Sequence, residues 1–99
     1  MIGEHTTYVY VIGHRDGPVK VGVSAFPNGR LAQLQTGCPF PLRLLHQVAM
    51  RDRSHALKHE ALFRDAWEHK RTVGEWFDLS CDAAIESLGI LLQRERDFA

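Results

Sequence analysis

The sequence predicts a small α+β domain, and three observations point there. Residues Thr6 to Ile12 are β-branched or aromatic almost throughout, and Val19 to Ser24 alternate with period two. An Asp16-Gly17-Pro18 turn separates these two segments, so they read as a β-hairpin. Three later segments space their apolar residues at helical intervals. The chain has 99 residues, room for a single domain, since domains usually run to about 100–150. A chain this short buries only about 60–65% of the surface its unfolded form exposes, so one modest core is expected.

Within the hairpin, the valines of Val19 to Ser24 point to one face and Lys20, Gly22 and Ser24 to the other. Tyr8 and Tyr10 share one side of the first strand. Pro27 suits the first turn of a helix, because its missing N–H would be unpaired there. That helix carries Arg30, Leu31 and Leu34 and is expected to stop at Gly37 in a left-handed cap. Cys38-Pro39-Phe40-Pro41 cannot continue it. Leu42 to Met50 reads as a third strand, with Leu42, Leu44, His46 and Val48 on one face. Asp52 or Ser54 caps a long helix expected to reach about Arg71. Thr72-Val73-Gly74 breaks it, Glu75 to Leu79 is extended, and Trp67, Trp76 and Phe77 are expected in the core. Ser80 or Asp82 opens a last helix over 81–97 carrying Ile85, Leu88, Leu91 and Leu92, with fraying expected from Arg94 onward.

Apolar residues make up 44% and charged residues 24%, an ordinary globular composition that excludes disorder and collagen-like repeats. Twelve Lys and Arg balance twelve Asp and Glu, so nucleic-acid binding would have to rest on local placement of charge. Two distant cysteines, Cys38 and Cys81, form neither a disulfide framework nor a CxxC zinc motif. Met1 to His5 shows no signal-peptide pattern, and no apolar run approaches the roughly 20 residues that span a bilayer. These readings predict a cytoplasmic protein without a membrane partner.

The long helix carries the most informative anomaly. At about 100° per residue, Ala56, Phe63 and Trp67 fall on one core-facing stripe, and Glu60 lies inside it. A carboxylate there is costly unless it is partnered or the stripe opens into a cleft. One reading is an i,i+4 ion pair with Arg64. The other is a metal ligand or general base at a cleft floor. On the hairpin, bulk is missing at Gly22, which would let a ligand approach closely beside Lys20, Ser24, Tyr8 and Tyr10. His55 and His59 are spaced to share zinc, but no third ligand is evident, and a solvated helix face is expected for them.

The order of these parts resembles the GIY-YIG nuclease superfamily, in its compact stand-alone branch. Tyr8-Val9-Tyr10-Val11-Ile12 looks like the first motif, and Val19-Lys20-Val21-Gly22-Val23-Ser24 looks like the second. Arg30, the Thr36-Gly37 helix exit, Glu60 and Gly74-Glu75-Trp76-Phe77 follow in the branch's order, so the resemblance covers about Thr6 to Ser80. Lys20 stands where a tyrosine is usual, and Arg64 where a histidine is usual.

The resemblance implies a three-stranded antiparallel sheet flanked by helices. It also implies hydrolysis of a DNA phosphodiester with one divalent metal, Mg²⁺ or Mn²⁺, bound at Glu60. Tyr10, Lys20, Arg30 and Glu60 would be catalytic, with Tyr8, Gly22, Ser24 and Arg64 contacting substrate. Arg30 would clamp the phosphate. Tyr10 would orient or deprotonate water, aided by Lys20, because a free phenol titrates near about 10. The alternative is a catalytically silent nucleic-acid or protein-binding module on the same fold, with Glu60 locked to Arg64. A zinc-binding module using His55 and His59 is a third reading. Zero net charge points to a partner protein or to homo-oligomerisation for targeting.

Overall fold

The computed structural model describes residues 6–97; the expectation for Met1 to His5 lies outside them. Strand β1 (Thr7–Gly13) pairs antiparallel with β2 (Val19–Ser24), with Tyr10 opposite Gly22 and Ile12 opposite Lys20. Strand β3 (Arg43–Met50) pairs antiparallel with β1 on its other side. A fourth strand, β4 (Trp76–Phe77), is added to β2, setting Val19 opposite Phe77 and Lys20 opposite Trp76. The sheet is therefore four-stranded and antiparallel, in the order β3-β1-β2-β4. Two residues at the end of an apolar segment carry too little periodicity to announce a strand, and only pairing with β2 makes them one.

Directly opposed residues in an antiparallel pair share a face. One face of the hairpin thus carries Val9, Val11, Val19 and Val21, all fully buried. They join Ala56, Phe63, Phe77, Leu79, Ala84 and Leu88 in the core. The other face carries Tyr8, Tyr10, Ile12, Lys20, Gly22 and Ser24. In β3 a register shift between Val11 and Ile12 interrupts the expected alternation, so Val48 and Leu45, not Leu44, pack on the core.

Helix α1 (Pro27–Thr36) begins at its proline, as expected, but Gly37 has φ −102° and is no left-handed cap. Its exit is organised by Gln35 instead. That side chain donates to the carbonyl oxygens of Cys38 and Phe40 and accepts from the Leu42 N–H. Helix α2 (Arg53–Ala66) is capped by Asp52, whose carboxylate accepts from the His55 N–H at 2.8 Å. It ends before Arg71, giving way to a 3₁₀ turn over Glu68–Lys70. The early stop has a cause: Arg71 becomes extended and bridges to Phe77, and the Asp78 N–H donates to the Lys70 carbonyl. Ser80 caps α3 (Cys81–Asp97), which stays helical through the segment expected to fray.

Phe63 and Phe77 meet edge to face at 5.1 Å and pin β4 to α2. Phe77 is core, as predicted. Trp67 is half-buried and packs against the core, as expected, whereas Trp76 is half-buried and does not join it. Trp76 stands on the polar face with Lys20, and the Trp67 indole donates to Ser87 Oγ at 2.9 Å.

Candidate functional site

Four segments deliver polar side chains to the hairpin's non-core face. The strands supply Tyr10 and Lys20, α1 supplies Arg30, and α2 supplies Glu60. The fourth is the turn before β4. Gly74 takes φ +57°, the Trp76 N–H donates to the Val73 carbonyl, and Glu75 is thereby aimed back at the sheet. Its carbonyl accepts from the Val21 N–H at 3.2 Å, and its carboxylate lies 3.1 Å from Lys20 Nζ.

The Glu60 and Glu75 carboxyl groups lie within hydrogen-bonding reach of each other, and each shifts the other's titration. Burial, then the bond to Glu75 and its charge, push Glu60 up from 4.5 to about 7. Arg64 and Lys20 oppose this only through space. Burial also raises Glu75, but its bonds to Glu60 and Lys20 outweigh burial and hold it below the usual carboxylate range. Two acids pressed together require either a proton or a cation between them.

Tyr10 is buried, and burial raises its phenol, although a hydrogen bond from Arg30 and the charge of Arg30 pull it the other way. Tyr10 therefore rests in its protonated form at neutral pH. The cation that acts on it is Arg30, not Lys20, whose partner is Glu75.

Two further expectations, the clearance at Gly22 and the Glu60–Arg64 pair, are corrected. Gly22 does not leave room for a ligand: a Cβ there would collide with the Tyr10 phenol and crowd Glu75 Oε1 at 3.1 Å. The glycine makes room for Tyr10 itself. Ser24 Oγ accepts the Phe26 N–H at 2.9 Å and so shapes the entry to α1. Tyr8, half-buried opposite Ser24, stands farther along the same face. The Glu60–Arg64 pair of the silent-module reading is replaced by Glu60–Glu75.

Tyr10, Lys20, Arg30, Glu60 and Glu75 thus converge, with Arg64 close enough to act on Glu60. Tyr10 and Lys20 are buried, while Arg30, Glu60 and Glu75 are half-buried. Among the described residues, these five line none of three clefts of about 680, 380 and 300 Å³.

Glu75 was visible beforehand only as a member of Gly74-Glu75-Trp76-Phe77. Its place beside Glu60 depends on the turn at Gly74 and on the pairing of β4 with β2. On the opposite side of α2, His59 is fully buried and His55 nearly so, which corrects the expected solvated face. Both bond to Glu95 of α3, a residue 36 and 40 positions away.

The family model for the T5orf172 domain matches residues 7–91, most of the chain, and the chain belongs to that family. This corrects the resemblance to the GIY-YIG superfamily, for which no family model matches. The motifs behind that resemblance are short, and a glycine opposite a strand tyrosine is a packing solution that unrelated hairpins can reach. No curated protein and no solved structure matches the chain.

Proposed function

We propose that this T5orf172-domain chain is a divalent-metal-dependent endonuclease hydrolysing DNA phosphodiester bonds, acting in the cytoplasm. The observation that supports the reading most is the Glu60–Glu75 pair beside Arg30 and Tyr10. Paired carboxylates are hard oxygen donors, and the proton Glu60 keeps until near neutrality is the kind a hard cation displaces. Mg²⁺ or Mn²⁺, held by Glu60 and Glu75, would neutralise charge on the phosphate and acidify the attacking water.

The chain's own residues supply the rest. Arg30 offers a planar fork to two phosphate oxygens. Tyr10, a buried phenol bonded to Arg30, fixes that fork and can orient water without deprotonating it. Lys20 fixes the Glu75 carboxylate. In the reaction a water oxygen bonds to phosphorus and gives up a proton to solvent, the bond to the leaving sugar oxygen breaks, and that oxygen takes up a proton. DNA lacks a 2′-hydroxyl that could attack its own phosphate, so a site built to bring in an external water suits DNA. Two free cysteines, Cys38 and Cys81, accord with a reducing compartment. Among the described residues no helix is long and apolar enough to cross a membrane.

The test is nicking of supercoiled plasmid with Mg²⁺ or Mn²⁺. Wild type should cleave and Glu60→Gln should not. Absence of cleavage with every divalent metal, on duplex and single-stranded DNA, would overturn the proposal. Cleavage of RNA alone would reassign the substrate.

A further inference from the structure

A second polar group lies between α2 and α3, on the side of α2 away from the carboxylate pair. His55 Nε2 is 2.8 Å from Glu95 Oε1, and His59 Nε2 is 3.0 Å from Glu95 Oε2. The ligand-competent atoms of the three residues lie within 4.8 Å of one another. His59 is fully buried and its Nδ1 has no partner. An apolar residue would fill that position without leaving a polar atom unsatisfied, so the imidazole calls for a reason.

Two histidines one helical turn apart and one carboxylate from a facing helix form a nitrogen-and-oxygen donor set typical of divalent transition metals. We propose that His55, His59 and Glu95 bind a divalent ion of the Zn²⁺ class and thereby fasten α3 to α2. The ion takes the place of the protons the two Nε2 atoms direct at Glu95, and those protons pass to Nδ1 of His55 and of His59. His55 Nδ1 accepts the Arg51 N–H at 3.1 Å, so ligation through Nε2 moves the His55 proton to Nδ1 and releases that amide. Arg51 is exposed and precedes α2, where the backbone is free to yield.

Three protein ligands would leave room for a fourth from outside the chain, and two of the three, His59 and Glu95, line the cleft of about 680 Å³. Arg51, Lys58, Arg94 and Arg96 line that cleft, with Lys58 Nζ 3.9 Å from Glu95. These cations oppose a metal carrying only neutral water. They favour an anionic fourth ligand, such as hydroxide or phosphate.

This site is independent of the nuclease reading, and titration with Co²⁺ separates the two. The metal-free full chain should bind one equivalent with visible ligand-field bands, which Zn²⁺ abolishes. Glu60→Gln should keep those bands. His55→Ala and Glu95→Gln, folded by circular dichroism, should lose them, with affinity falling by roughly ten-fold or more. In wild type, Zn²⁺ should shift the Arg51 amide and the ring nitrogens of His55 and His59, an outcome that does not depend on any variant folding. Absence of bands and shifts in wild type, bands retained in both His55→Ala and Glu95→Gln, or bands lost in Glu60→Gln would overturn the proposal.

Discussion

His59 and Glu60 are neighbours in sequence, yet each belongs to a different polar cluster. Glu60 meets Glu75, with Lys20, Arg30 and Arg64 acting on the pair, so its surroundings come from one strand, two helices and a turn. His59 meets His55 and Glu95, which belong to two facing helices. The first cluster presses two like charges together and leaves one acid titrating near 7. The second holds one carboxylate between two imidazoles, and the His55 bond first, with His59 adding to it, depresses Glu95 to about 2. Proximity in the chain therefore says little about chemical environment. One residue of helical rotation, about 100°, moves a side chain from an acid pair to an imidazole–carboxylate clamp.

The largest expected effect separates the clusters by activity. Glu60→Gln should lower metal-dependent cleavage by orders of magnitude, because an amide cannot supply the anionic oxygen a hard cation needs. Glu95→Gln should leave cleavage within a few-fold of wild type. Comparable losses from both substitutions would erase the distinction.

Next in size is the anchor of the first cluster. Phe77→Ala should cost about 3–5 kcal/mol, since it empties a fully packed site against Phe63. Trp76→Ala, at a half-buried position on the other face, should cost about 1–2 kcal/mol. Chemical denaturation checks both, and equal losses would mean that β4 is not held by its core-facing residue.

The two acids should also give opposite slopes of stability against pH. Glu60 has a raised folded value, so its contribution is complete below 4.5 and is lost as pH rises to about 7. Glu60→Gln, which mimics the protonated acid, should therefore be more stable than wild type at pH 8, by of order 1 kcal/mol once solvent screening of a half-buried group is allowed for. Glu95 has a depressed value, so its contribution is complete above 4.5 and is lost as pH falls to about 2. Glu95→Gln should flatten the acid limb of the profile. Thermal unfolding across pH 2–9 reads both, and a shared sign would contradict the two environments.

The smallest effect belongs to Arg64. Its charge lowers Glu60 through space, so Arg64→Ala should raise the pH midpoint of cleavage by a fraction of a unit without changing the fold. A drop in the plateau rate instead would make Arg64 a direct contact to substrate.

Much of this molecule follows from local rules that sequence alone carries. Alternation over Val19 to Ser24, the Asp16-Gly17 turn and the valines of β1 fix the hairpin and its two faces, because strand side chains alternate whatever else is present. Asp52 and Ser80 open their helices through short-range hydrogen bonds, and Pro27 through its missing N–H. Tyr10, Lys20, Arg30 and Glu60 could accordingly be singled out one by one.

Tertiary structure decided what those residues do to one another. Leu45 replaces Leu44 in the core because a bulge in pairing with β1 reverses the alternation. Trp76 and Phe77 become a strand only by joining β2, and that same junction brings Glu75 against Glu60. Glu95 reaches His55 and His59 because α3 packs along α2. Desolvation and Coulomb interaction depend on distance in space, and residues 15 or 36 positions apart acquire that distance only when the chain folds.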